Sequence, residues 1–104
     1  PKEAAYHSSL GLALAGLGLD VEAVAAGREG LRLMPPEVEA WRGSRRAIDL
    51  ARIYAMTGRT DEAIEQLEYV MSIPAELSAW ELRLDPTWDA LRGDPAFEAL
   101  TAID

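Results

Sequence analysis

The sequence predicts an all-α fold in which two helical hairpins are followed by a cap of short helices. The first observation behind this prediction is an internal repeat with an offset of 40 residues. Its members are Leu10-Gly11, Leu14, Gly18, Ala23 and Leu31, which recur as Leu50-Ala51, Tyr54, Gly58, Ala63 and Met71. The second observation is that each copy ends near a proline and that two Asp-Pro pairs follow the second copy. Because a repeat at this period is typical of stacked helical units, we expect one domain over residues 1–104.

The first unit is predicted to be a helix over residues 4–17, a tight turn, and a second helix to about residue 33. The spacing i, i+4, i+8, i+11 predicts that one apolar face of the first helix is buried. The residues on that face are Tyr6, Leu10, Leu14 and Leu17. Gly18 suits the left-handed position that ends a helix, and Asp20 is a candidate N-cap for the next. Pro35-Pro36 ends the unit, because a proline ring clashes with the preceding helical turn.

The second unit repeats this order with a clearer pattern. Its first helix buries Ala47, Leu50, Ala51 and Tyr54 at i, i+3, i+4, i+7. Gly58 is expected to end that helix and Thr60 to cap the next. The second helix is expected to bury Ala63, Ile64, Leu67, Val70 and Met71. An outer row of acidic residues, Asp61, Glu65 and Glu68, is interpreted as a solvated face.

The remaining residues predict a partial hairpin and two short helices. Residues 77–84 can form a further helix, and Asp85-Pro86 and Asp94-Pro95 each combine an N-cap with a proline suited to the first helical position. Helices at about 86–92 and 95–102 would present the apolar residues Trp88, Leu91, Phe97 and Leu100. A stack of repeats needs an atypical end unit, because its last face would otherwise expose apolar surface. We expect these helices to be that unit, with Trp41, Trp80 and Trp88 as core and cap anchors.

The spacing of the small, large, turn and closing residues resembles the tetratricopeptide repeat family, whose units are helix-turn-helix hairpins of about 34 residues. The resemblance implies repeat 1 at 4–37, an insertion at 38–43, repeat 2 at 44–77, and a partial repeat with the C-terminal cap at 78–104. Gly27 departs from it, since a large residue is expected there. We expect an extra turn that breaks at Gly43 with Ser44 as the following N-cap. A single helix over residues 37–57 is the alternative.

Composition and charge exclude several classes of function. The net charge is −8, and all of it lies in residues 53–104, which contain eleven acidic and three basic residues. Such a surface repels phosphate backbones, so we expect no nucleic acid partner. No apolar run approaches the roughly 20 residues that span a bilayer, so we expect no membrane insertion and a cytoplasmic location. The absence of cysteine excludes disulfides and thiolate metal ligands.

Candidate chemical motifs have structural interpretations, and we predict no enzymatic activity, no metal and no cofactor. The glycines near Gly11 and Gly18 lack the Lys-Ser/Thr of a P-loop and the third glycine of a dinucleotide fingerprint. His7 is the single histidine and has no second ligand for a metal site. Asp85 and Asp94 are expected to be caps, and Asp89 can pair with an arginine three residues later.

The family resemblance implies a function in protein binding. In the family, the first helix of each unit lines a concave groove that accepts peptides or helices, and the matching candidate residues are Ser8, Leu12, Arg45, Ile48, Arg52 and Met56. Two arginines beside an apolar wall predict a protein or peptide partner that is acidic and amphipathic. The alternative is a structural end-cap or oligomerisation segment of a longer array.

The stretch Leu82–Leu100 is similar to the C-terminal ends of repeat regions in bacterial multidomain proteins. In those proteins the repeats are fused to nucleotide-cyclase, kinase or TolB-like domains. This resemblance implies an excised C-terminal piece whose array regulates an upstream catalytic domain. A homodimer through the N-terminal hairpin is a further expectation, since helix 4–17 would then have lost a neighbour.

Overall fold

The computed structural model describes residues 2–35, 40–73 and 79–102, and this part of the chain is entirely helical. The elements are α1 (Lys2–Gly16), α2 (Asp20–Leu33), α3 (Ala40–Met56), α4 (Thr60–Met71), α5 (Ala79–Leu84), a 3₁₀-helix η1 (Pro86–Leu91) and α6 (Pro95–Leu100). The predicted all-α class is therefore confirmed. Pro36, Pro74, residues 38 and 39 of the insertion, and the side chains of Trp41 and Trp80 lie outside the described residues.

The two hairpins, α1–α2 and α3–α4, have the same turn. Gly18 and Gly58 occupy the left-handed region with φ of 79° and 77°. In both turns, one amide donates five residues back and another donates three residues back, which is the Schellman motif. These bonds are Leu19 N–H to Leu14 O (3.0 Å), Gly18 N–H to Ala15 O (3.1 Å), Arg59 N–H to Tyr54 O (2.9 Å) and Gly58 N–H to Ala55 O (3.4 Å). The predicted ends of both first helices are confirmed, and the 40-residue offset holds at every atom of this motif.

The predicted caps of α2 and α4 are wrong. Leu19 already accepts the Ala23 N–H at 2.9 Å, so α2 begins there and Asp20 is its first helical residue. Arg59 displaces Thr60 from the cap position of α4 in the same way. Neither cap residue accepts a backbone N–H of its helix with its side chain. The connection between the helices is so short that the residue that completes the Schellman motif is also the N-cap of the next helix.

The predicted inner face of α1 is also wrong. The residues that α1 buries are small: Ala4, Ser8, Gly11 and Ala15. Tyr6 and Leu17 are 61% and 75% exposed, while Leu10 and Leu14 are half-buried at the sides. Small residues allow α2 to approach so closely that a Cβ added to Gly11 would lie 3.0 Å from the Ala23 carbonyl oxygen. Close helix approach, not the burial of large side chains, determines this interface.

Glycines make the same interface tight along its length. A Cβ on Gly30 would lie 2.7 Å from the Ser8 hydroxyl oxygen and 3.0 Å from the Ala4 carbonyl oxygen. A Cβ on Gly27 would lie 2.7 Å from Ile53 Cδ1 of α3. Gly27, the departure from the repeat pattern, is therefore the place where a side chain of the second hairpin fits between the helices of the first.

Helix α3 is continuous through Gly43, so the predicted break there is wrong and the single-helix alternative is the closer one. Gly43 and Ser44 are both buried inside the helix, so Ser44 is not its N-cap. A lone glycine costs a helix only about 1 kcal/mol relative to alanine. The burial of this segment outweighs that cost.

The second hairpin supplies most of the core. Its predicted inward residues are buried, with the exception of Met71, which is partly buried against the core: Ala47, Leu50, Ala51, Tyr54, Ala63, Ile64, Leu67 and Val70. The acidic row at Asp61, Glu65 and Glu68 is exposed, as predicted. Helix α3 packs against α1, α2 and α4, so it joins the hairpins. Arg28 of α2 adds a polar link, donating to the Tyr54 hydroxyl at 3.0 Å and to Glu62 at 2.9 Å.

The C-terminal cap has the predicted start signals. Asp85 accepts the Thr87 N–H and Asp94 accepts the Ala96 N–H, both at 2.9 Å. Trp88 and Phe97 are fully buried. Its first helix is a 3₁₀-helix, and η1 contacts both α3 and α4, as α3 contacts both α1 and α2. Thus η1 packs on both helices of the second hairpin.

Candidate interaction surface

A partly exposed stripe on α1 is in register with a partly exposed stripe on α3, 40 residues later. They pair Ala5 with Arg45, Ser9 with Asp49, Leu12 with Arg52 and Gly16 with Met56. Because α1 and α3 pack against each other, the two stripes form one surface with a small-residue half and a charged half. We call this surface the groove.

The structure separates the six predicted groove residues. Ser8 is 1% exposed between α1 and α2, so it cannot contact a partner. Leu12 and Ile48 are half-buried, and Leu12 packs against the core. Arg45 is exposed and Met56 is 45% exposed. Ser8 was included among the groove positions because the family resemblance implied it, but its hydroxyl oxygen faces α2 at Gly30, where the absence of a Cβ leaves room for it.

Arg52, the remaining predicted residue, is engaged by the chain's own cap. Its guanidinium lies 3.5 Å from the Asp85 carboxylate and 5.7 Å from the ring centroid of Trp88. Asp85 thus has two roles, since the same carboxylate caps η1 through the Thr87 N–H. The Thr87 N–H lowers the pKa of Asp85; burial opposes that shift, and Arg52 and Arg92 add to it. The carboxylate is held ionised beside Arg52.

The middle of the charged half is also paired internally. Arg46 Nη2 lies 3.3 Å from Asp49 Oδ2, and both side chains are mostly buried. Burial raises the pKa of Asp49, whereas Arg46, Arg52 and Arg45 lower it by smaller amounts. Sequence reasoning did not single out this pair, although its i, i+3 spacing is a recognisable signal for an ion pair on a helix.

Arg92 ties the cap together. It donates to the Asp89 carboxylate at 2.8 Å, as predicted from their spacing, and to the carbonyl oxygens of Leu82 and Asp85 at 3.1 and 2.9 Å. Its guanidinium also lies 5.9 Å from the Phe97 ring centroid. The predicted interpretation of Asp85, Asp89 and Asp94 as structural carboxylates therefore agrees with the bonds that they make.

The described part of the chain holds no group of three or more histidine, aspartate or glutamate side chains placed to bind a metal. Within the same residues, every helix is too short or too polar to span a membrane. Compared with protein-family models, curated proteins and solved structures, the chain matches none.

Proposed function

We propose that this chain is a non-catalytic end unit of a stack of helical hairpins of the tetratricopeptide kind, and that it acts in protein assembly. One observation carries this proposal: η1 packs across α3 and α4 and engages Arg52 through Asp85 and Trp88. The second hairpin therefore meets the chain's own cap on the side where a further hairpin would stack. Such an arrangement seals one end of a stack.

A second candidate function is peptide binding in the groove. The small-residue half favours it, because Ser9 and Gly16 are exposed and Leu12 is half-buried with no bulky neighbour in its own stripe. A partner there would be an acidic amphipathic segment that reaches Arg45. This candidate is weakened because Arg52 is already paired with Asp85 and Asp49 with Arg46. A ligand would have to compete with these ion pairs.

Calorimetry and thermal melting separate the two functions. Acidic amphipathic helical peptides are titrated into wild type, Ile48→Asp and Arg45→Ala/Arg52→Ala at low and moderate salt. If the chain is an end unit, we expect that these substitutions do not weaken the binding of any peptide. We also expect Arg52→Ala to melt at a lower temperature than wild type, because the partners of Arg52 are in the cap. If wild type binds a peptide and Ile48→Asp does not, while both melt alike, the groove is functional and the end-unit proposal is wrong.

A further inference from the structure

The turn between α1 and α2 carries an apolar patch that its structural twin lacks. Leu17, Leu19 and Val21 are 75%, 44% and 71% exposed. We call these three residues the first-turn patch. The equivalent residues of the α3–α4 turn, 40 positions later, are polar: Thr57, Arg59 and Asp61.

The turn itself does not require apolar residues. Both turns have the same Schellman hydrogen bonds and nearly the same glycine φ. In the second turn the polar side chains make local bonds, from the Thr57 hydroxyl to the Ile53 carbonyl oxygen at 2.8 Å and from Arg59 to Glu62 at 3.1 Å. Single exposed apolar residues are ordinary on protein surfaces, but a contiguous group marks an interaction site.

The charges around the patch indicate what covers it. Residues 3–27 contain the acids Glu3, Asp20 and Glu22 and no lysine or arginine. Asp20 and Glu22 flank Val21 and are exposed. A two-fold contact between copies through this turn would bring these carboxylates together. A partner that places positive charge beside them is complementary.

We propose that the first-turn patch docks an amphipathic helix of a partner protein, with an apolar face over Leu17, Leu19 and Val21 and lysine or arginine beside Asp20 and Glu22. This site is separate from the groove and the cap. It stands whether or not the chain is an end unit, because it depends on neither Arg52 nor η1.

The chain offers a matched control variant. Leu17→Thr/Leu19→Arg/Val21→Asp gives the first turn the residues with which the second turn already folds. One positive and one negative charge are added, so the net charge is unchanged. Glu22 can then pair with the arginine at position 19, as Glu62 pairs with Arg59. Circular dichroism and thermal melting of the full chain are expected to match wild type.

The probe is a helical peptide of about 18 residues, long enough to be stable on binding, with leucine on one face and lysine on the other. A peptide with glutamate in place of lysine is its control. We expect one lysine peptide per wild-type chain, at least tenfold weaker binding by the triple variant, and at least tenfold weaker binding of the glutamate peptide. Three results would overturn the proposal: the triple variant binds the lysine peptide as tightly as wild type does, wild type binds the two peptides equally, or wild type binds neither peptide.

A further variant keeps the test independent of any loss of folding. Asp20→Asn/Glu22→Gln retains the apolar residues, so binding is expected to weaken several-fold and to lose most of its salt dependence. If sedimentation shows wild-type dimers that the triple variant abolishes, and the lysine peptide does not compete with them, the occupant is a second copy and the proposal is wrong.

Discussion

Replacing Gly11 by alanine tests the close approach of α1 and α2. The added Cβ would lie 2.7 Å from Ile53 Cδ1, 3.0 Å from the Ala23 carbonyl oxygen and 3.1 Å from the Gly27 nitrogen. The Ile53 methyl can rotate away, but the two backbone atoms belong to a packed helix. The helices must therefore separate by some tenths of an ångström. Overpacking of this kind costs about 1–3 kcal/mol.

Gly16→Ala is the matched control. Gly16 is also in α1, is exposed, and has no atom within 4 Å of an added Cβ. Both substitutions gain helix propensity, up to roughly 1 kcal/mol, so their difference in unfolding free energy isolates the overpacking. With about 4–8 °C per kcal/mol for a domain of this size, we expect Gly11→Ala to melt on the order of 5–20 °C below Gly16→Ala.

The assay is thermal melting followed by far-UV circular dichroism, with urea unfolding as the second measurement. Gly16→Ala is expected to melt at or slightly above wild type, and Gly11→Ala below it. Equal midpoints for the two variants in both measurements would refute the reasoning. They would mean that α1 and α2 are held apart in solution and that large residues, not the small stripe, fill the space between them.

Three further outcomes follow from the cap and the groove. Trp88→Ala should lower the unfolding free energy by about 3–5 kcal/mol, a large part of the 5–15 kcal/mol typical of a domain, and denaturant titration will show whether it does. Asp94→Ala removes the α6 cap and should cost about 0.5–2 kcal/mol in the same assay. In a carboxyl NMR titration, Asp85 should titrate below the ordinary 3.8 and Asp49 above it. The lowered pKa of Asp85 stabilises the fold above pH 3.8, and this contribution should be lost as the pH falls through the pKa of the folded state. The raised pKa of Asp49 has the opposite effect: it stabilises the fold below pH 3.8, and this contribution should be lost as the pH rises through the pKa of the folded state.

The sequence was sufficient for the parts of the fold that depend on backbone conformation. Gly18 and Gly58 stand where an L residue with a side chain is strained, so their positions fixed the turns. Asp85 and Asp94 each precede a proline, so each pair combines an N-cap residue with a residue suited to the first helical position. These signals depend only on neighbouring residues, and tertiary packing did not change the backbone conformation at these positions.

Packing between helices could not be predicted in this way. The i, i+4 pattern of Tyr6, Leu10, Leu14 and Leu17 is a real stripe, but a face of small residues beside it allowed closer contact with α2. The engagement of Arg52 was missed for a different reason. Its partner Asp85 lies 33 residues away in sequence, so no periodicity relates the two.

The glycines of the first hairpin explain why its departure from the repeat pattern is consistent with the fold. Ile53 Cδ1 lies 2.7 Å from the Cβ position of both Gly11 and Gly27, so one methyl of α3 enters the hollow that the two glycines leave. A large residue at position 27 would fill the hollow from within and push α3 away. The contact of the Ile53 methyl with Gly11 and Gly27 therefore packs the second hairpin against both helices of the first.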